Sequence, residues 1–278
     1  MATCKLNVEF FPEGGDLIAG VPNRVYFRAT TTFGKPADIS GMLTDGIKDI
    51  APMATLTDAD QPGANQGFGR FEFTPVAGQK YAVRLDKPTS VIQPKDGYAL
   101  PASKASGVVL QVTQGVLKPD APIGVKLWSV GADRTVLVGA YSRGRPVAHT
   151  TVKLEAGKAT DATLAVTDAK LGGVTRITVF DLPHGEAVGR DDLKPLAERL
   201  IYREPGEALK LSYATKKPGT GTPVKTFTPG SRVELEVTAT DEADAPKAAI
   251  LWTAVVNESV ITMADEKKIG RASCRERV

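Results

Sequence analysis

At 278 residues, 42% hydrophobic and 24% charged, the chain has an ordinary globular composition, long enough for one large domain or two to three small ones. The net charge of +3 falls to +1 once the last ten residues are set aside, near zero, which gives no reason to expect nucleic acid or an anionic membrane as partner, and no apolar run approaches the ~20 residues that would cross a bilayer. Only Cys4 and Cys274 are present, which leaves no disulfide framework and no cysteine-based metal site.

The opening "MATCKLNVEFF" lacks the basic-then-apolar layout of a secretory signal. Two strand-like runs then flank a heavily punctuated stretch, "FFPEGGDLIAGVPN". Pro12 cannot donate a backbone hydrogen bond, Gly14 and Gly15 permit positive φ, and Asn23 tolerates a bend. This reads as an architectural corner and not as a site. Beyond it, "RVYFRAT" places Val25, Phe27 and Ala29 on one face. "GRFEFTP" places Phe71 with Phe73, and "KYAVRL" places Tyr81, Val83 and Leu85 together. The last two, joined by "PVAGQ", read as a hairpin.

Seven more candidate strands follow between Ser106 and Glu204: "SGVVLQVTQ", "IGVKLWSV", "TVLVGAYS", "RPVAHTTVKLE", "ATLAVTD", "VTRITVF" and "ERLIYRE". That many short strands in ~100 residues predict an immunoglobulin-like β-sandwich. "LKPLAERLIY" has ambiguous spacing and contains Pro195, and its second half is assigned to a strand. A repeat is visible between "NRVYFRATTTFGKP" and "SRVELEVTATDEADAP", with Val25 matching Val233 and Phe27 matching Leu235. The expected fold class is therefore all-β, in tandem immunoglobulin/fibronectin-like sandwiches. The units span residues 5–95, 103–204 and 205–268, the third truncated.

The final "IGRASCRERV", residues 269–278, resembles the in-frame translation of a common short-read sequencing adapter and is set aside as a non-native tail. Arg271, Arg275 and Arg277 against Glu276 carry +2 of the charge, leaving +1 for the remainder.

Candidate chemistry is sparse, and the sequence predicts no catalytic, cofactor-binding or metal site. His149 lies in an alternating strand and His184 in the loop "DLPHGEAVGR", with no nucleophile beside either. "DADQPGANQGFG" has Asp58, Asp60 and Gly63 where a calcium loop would want them, but Pro62 and Gly69 occupy ligand positions, so it reads as a polar connection. Gly67–Arg70 precedes a strand, whereas a phosphate loop requires a helix N-terminus. Lys216, Lys217 and Lys225 sit in a Pro/Gly-rich stretch with no interleaved aromatics and read as a solvated loop. Trp128 and Trp252 are expected as core anchors. "AAILWTAVVNESVITM" reads as a buried strand pair, and residues 250–264 as the least stable region.

The stretches "FFPEGGDLIAGVPNRVYFRAT", "GFGRFEFTPVAGQKYAVRL", "LVGAYSRGRPV", "GGVTRITVFD", "PLAERLIYRE" and "FTPGSRVELEVTATDEADAPKAAILWTAVVNESVITMADEK" resemble consecutive pieces of a bacterial alpha-2-macroglobulin-like protein. The resemblance covers most of residues 6–267, departing at Asn257, where the family commonly has aspartate. It implies macroglobulin-type domains four, five and the start of six, ending before the protease-sensitive bait region. It also implies an endopeptidase inhibitor with target proteases and other domains of the same chain as partners. The compartment implied is periplasmic, cell-surface or extracellular. The family's Cys-Gly-Glu-Gln thioester has no counterpart, since Lys5-Leu6 follows Cys4 and Arg275-Glu276 follows Cys274. The alternative is an adhesive or scaffold module of a cell-surface or outer-membrane receptor system. An enzyme with sandwich appendages is weaker, because no paired acids stand out at strand ends.

Overall fold

The computed structural model describes residues 5–182, 193–206, 209–223, 226, 230–241, 243–253 and 256. Every regular element among them is a strand, and the strands form tandem β-sandwiches.

The first sandwich faces two sheets across one core. Strands β1 (Leu6–Pro12), β2 (Asn23–Thr31) and β5 (Phe68–Phe73) make one sheet in the order β1-β2-β5. Strands β3 (Ser40–Thr44), β4 (Asp49–Ala54), β6 (Ala82–Lys87) and β7 (Tyr98–Ala99) make the other in the order β4-β3-β6-β7. Period-two alternation decides what goes inside. Val25, Phe27 and Ala29 of β2 are buried against Phe71, Phe73, Leu43, Val83 and Leu85. The expected hairpin of "GRFEFTP" with "KYAVRL" is corrected, because β5 and β6 lie in opposite sheets. The connection crosses the sandwich, so Phe73 and Tyr81 meet edge to face at 5.0 Å instead of pairing backbones, and the Tyr81 hydroxyl accepts the Val76 amide at 2.9 Å.

In the second sandwich, β8 (Gly107–Val112), β10 (Ile123–Val130) and β13 (Ala159–Leu164) form a sheet in the order β13-β10-β8. The facing sheet, β12-β11-β14-β15-β9, contains β9 (Val116–Leu117), β11 (Arg134–Ser142), β12 (Arg145–Leu154), β14 (Gly173–Asp181) and β15 (Lys194–Arg203). All seven expected strands are present, with two adjustments. β13 starts and stops earlier than "ATLAVTD" suggests, because it pairs with β10 from Ala159 opposite Trp128 to Leu164 opposite Ile123, and Thr167 instead bonds the Val147 carbonyl. β15 includes Pro195, which the ladder accommodates through a register shift between Val179 and Phe180 opposite it.

Beyond it, β16 (Lys210–Lys216) and β17 (Glu234–Thr240) form an antiparallel hairpin. The sequence repeat is real but its register differs from the one read. The turn after β2 has Thr31 N–H on Lys35 O, Ala37 N–H on Ala29 O and a bridge between Thr30 and Pro36; that after β17 has Asp241 on Ala245, Lys247 on Ala239 and Thr240 with Pro246. The same bonds recur with Val25 opposite Leu235 and Phe27 opposite Val237, two residues from the sequence match. A shift of two preserves the inward face, so the side-chain pattern alone could not distinguish the registers. Burial differs too, since Val25 is fully buried while Val233 and Leu235 are exposed. The expectation of a buried strand pair fails over its described part, where residues 250–253 form no strand and Ile250 and Trp252 are exposed; the rest of that stretch lies outside the described residues.

Candidate functional site

The corner after β1 is the best-built polar site among the described residues, and it lies between the two sandwiches. β8 announces this junction by losing alternation. Val108, Leu110 and Val112 face the second core, yet Val109 and Gln111 on its other face are buried as well. What covers them is the loop of the first sandwich. Ile18 and Val21 pack with Val109 and with Trp128 of β10 in a small cluster separate from either core. Gln111 Nε2 donates to the Pro22 carbonyl at 3.3 Å. Burying such side chains contributes about 1.5–3 kcal/mol each, enough to hold two modules in one orientation.

Asn23 shapes that loop. Fully buried at the start of β2, its carboxamide accepts the Ile18 amide at 2.9 Å and donates to the Ile18 and Val21 carbonyls at 2.7 and 2.8 Å. Three of its four hydrogen-bonding positions are thus used to close the turn that presents Ile18 and Val21.

Glu13 is the centre of the site. Its side chain has no exposed surface, a position carboxylates occupy only when paired. The carboxylate accepts the Val112 amide at 3.1 Å and Arg24 Nη1 at 3.1 Å, and Arg199 Nε stands 3.4 Å away at ion-pair distance without hydrogen-bond geometry. Arg24 also donates to the Val112 carbonyl at 3.2 Å and to Glu72 at 2.7 Å. Among the causes acting on its guanidinium, burial is the largest and lowers the pKa, but the hydrogen bond to Glu72 and the charges of Glu13 and Glu72 outweigh it, so the pKa is raised. Arg199 lies over the Tyr26 ring, 4.4 Å from its centre, and ties β15 to β2.

β8 and β15 each expose an unpaired edge here, β8 as the last strand of its sheet and β15 where short β9 does not reach. Glu13 and Arg24 take the outward amide and carbonyl of Val112. The Gly14 carbonyl accepts the Glu198 amide at 3.1 Å, and Gly14 bridges Glu198 in antiparallel fashion. The first sandwich thereby caps the seam between both sheets of the second, the kind of cover that keeps strand edges from pairing elsewhere. Gly14 has φ +89°, and a Cβ on it would come within 3.3 Å of the Leu110 backbone and 3.4 Å of Ala197, so only glycine enters the seam without strain.

Two clefts flank the junction, one of about 440 Å³ beside Arg24 and Trp128 and one of about 550 Å³ beside Phe11, Phe68 and Leu200. The reading of "FFPEGG" as a corner and nothing more is corrected: the corner is an inter-module contact. Trp128 is buried as expected, but at the junction and outside both cores; Trp252 is 98% exposed and anchors no core.

The remaining candidates do not come together. His149 is exposed on β12, and His184 lies outside the described residues. Asp58 accepts the Asp60 and Gln61 amides and so closes its own turn. Gly67, at φ +71°, donates to Asp38 and leads directly into β5. Lys216 ends β16 and pairs with Glu236, Lys217 begins the following turn, and Lys225 lies outside the described residues. Among the described residues no three His, Cys, Asp or Glu side chains cluster as metal ligands, and no helix is long and apolar enough to cross a membrane.

No family model matches the chain, and no curated protein does. Among solved structures it is similar to Escherichia coli alpha-2-macroglobulin activated by porcine elastase, at 11% identity and TM-score 0.27, over 76% of this chain and 25% of that one. It is also similar to the native conformation of the E. coli protein, at 12% identity and TM-score 0.26, over 86% and 17%. A Salmonella alpha-2-macroglobulin mutant gives 11% identity and TM-score 0.27, over 88% and 18%. The chain thus spans at most a quarter of the length of these structures.

Proposed function

We propose that this chain is a framework section of an alpha-2-macroglobulin-like endopeptidase inhibitor. In this reading it supplies macroglobulin-type sandwiches four and five and the start of six, and neither bait, thioester nor catalysis. The observation that carries the proposal is the junction: two sandwiches joined through a buried carboxylate whose oxygens are taken up by the Val112 amide and by Arg24, with Arg199 beside them. A general acid or base needs an oriented partner and access to a substrate, and Glu13 has its oxygens occupied and no exposed surface. Such a contact suits a mechanical role, in which an event elsewhere in a larger protein moves packed modules as rigid bodies. The extended sequence resemblance supplies the kind of larger protein, and with it a periplasmic, cell-surface or extracellular setting and a target peptidase as partner.

The test uses the product of the complete gene, mixed with trypsin and assayed on casein and on a small chromogenic peptide. A trapping protein removes stoichiometric activity on casein and spares the peptide, because a caged enzyme still admits small substrates. The present chain alone should do neither and should hydrolyse no peptide, ester or glycoside. Full-length product that leaves casein hydrolysis untouched, or trapping by this chain alone, would overturn the assignment.

A further inference from the structure

We infer that the junction is a latch on a hinge: Glu13 fixes the orientation of the two sandwiches, and its removal lets them swing apart about residues 16–19 and 104 while each stays folded. The inference deepens the framework reading, but its test reads geometry and is independent of peptidase inhibition.

Three lines of contact lie along the interface. At one side the connecting segment itself runs beside the corner loop: Ala19 N–H bonds Lys104 O at 2.9 Å, Lys104 N–H bonds Leu17 O at 2.8 Å, and Lys104 Nζ meets Asp16 at 2.6 Å. Lys104 lies just before β8 begins at Gly107, so this strap sits where the chain passes from one sandwich to the other and is the axis of the inferred swing. The apolar contact of Ile18 and Val21 with Val109 and Trp128 is the middle line; it is small, and apolar contact resists sliding poorly because it is non-directional. At the far side stands the latch, Glu13 and Gly14 against Val112, Glu198 and Arg199.

Away from the strap, the directional contacts are the Gln111 bond to the Pro22 carbonyl and the latch, and the latch's hold on the Val112 amide and on Arg199 centres on one carboxylate. Removing that carboxylate leaves the Val112 amide unpaired and frees Arg199 from one of its two partners. Arg24 retains Glu72, so the first sandwich keeps its own ion pair. Neither core contains Glu13, so separation of the modules does not require either to unfold.

Trp128 is the natural reporter. The chain has two tryptophans, and Trp252→Phe leaves Trp128 alone. In that background Trp128 should emit at short wavelength and resist acrylamide. Glu13→Ala should shift its emission to the red and raise acrylamide quenching several-fold with an unchanged far-ultraviolet circular dichroism spectrum, and small-angle scattering should show a larger radius of gyration. Arg199→Ala, on the opposite face of the seam, should move both readouts the same way by less. Unchanged quenching in both variants would overturn the latch. Should Glu13→Ala fail to fold, Arg199→Ala decides the question alone.

Discussion

The Glu13 carboxylate accepts the backbone amide of Val112 at 3.1 Å, joining residues 99 apart in sequence and two separate β-sandwiches. The contact turns a surface corner into a structural joint. Removing the carboxylate orphans the buried Val112 amide, a loss of about 1–3 kcal/mol, while Arg24 keeps Glu72. Glu13→Ala should therefore lower chemical stability by that order, and Glu13→Gln, which keeps an acceptor for Val112 but presents an amide to Arg24, should fall between. Urea titration followed by circular dichroism checks both.

Gly14→Ala should destabilise by about 1–3 kcal/mol, because φ +89° is costly for any side chain and the added Cβ meets backbone on Leu110. Gly15 has φ +112° with open space around it, so Gly15→Ala carries backbone strain without the clash and should cost less. Melting curves of the two variants, compared side by side, separate strain from contact.

Asn23→Ala removes three hydrogen bonds inside one loop, leaving the Ile18 amide and two carbonyls without partners. Each group orphaned in a buried site costs about 1–3 kcal/mol. Asn23→Asp keeps the acceptor and loses both donations, so it should lie between Ala and the parent in thermal stability.

Much of this was legible in sequence and some was not, for reasons tied to particular residues. The alternation in "RVYFRAT" marks a strand because Val25, Phe27 and Ala29 are buried while the residues between them are half-buried or exposed. Alternation says nothing about which sheet a strand joins, so "GRFEFTP" and "KYAVRL" read as a hairpin although β5 and β6 lie in opposite sheets and Phe73 meets Tyr81 across the core. The same period of two concealed the register of the repeat. The joint has a signal in the sequence: "VVLQV" is nearly continuous in apolar residues, which a strand wet on one face does not need. Glu13 itself offered little, since a glutamate between Pro12 and Gly14 looks like any turn residue until Val112 is brought beside it.

Arg203, fully buried at the end of β15, donates to the Leu171 carbonyl at 3.2 Å and to the Pro119 carbonyl, while burial pulls its guanidinium below the usual value and Asp168 partly restores it. Lysine cannot span both carbonyls with one ammonium group. Arg203→Lys should cost about 1–3 kcal/mol through the carbonyl it abandons, read by urea titration.

Asp45 closes the turn between β3 and β4, and the amides of Lys48 and Ile47 hold its carboxyl below the ordinary 3.8. A depressed carboxylate stabilises fully above its unfolded value and loses that contribution as pH falls through the folded one. Asp45→Asn should therefore flatten the acid limb of the stability profile below about pH 4, where ordinary aspartates titrate. Comparing the midpoint of thermal unfolding at pH 3 and pH 6 in the two proteins, conditions on either side of that range, checks it.

Hydrogen exchange at the Val112 amide tests the joint most directly. Thr113 N–H bonds Gly124 within the sheet, so the neighbouring Val112 N–H points outward and donates to Glu13. The account predicts slow exchange in the parent, comparable to the interior of β8, and fast exchange in Glu13→Ala while Leu127 of β10 remains protected. Rapid exchange of Val112 in the parent chain would show that the two sandwiches are not joined through this carboxylate.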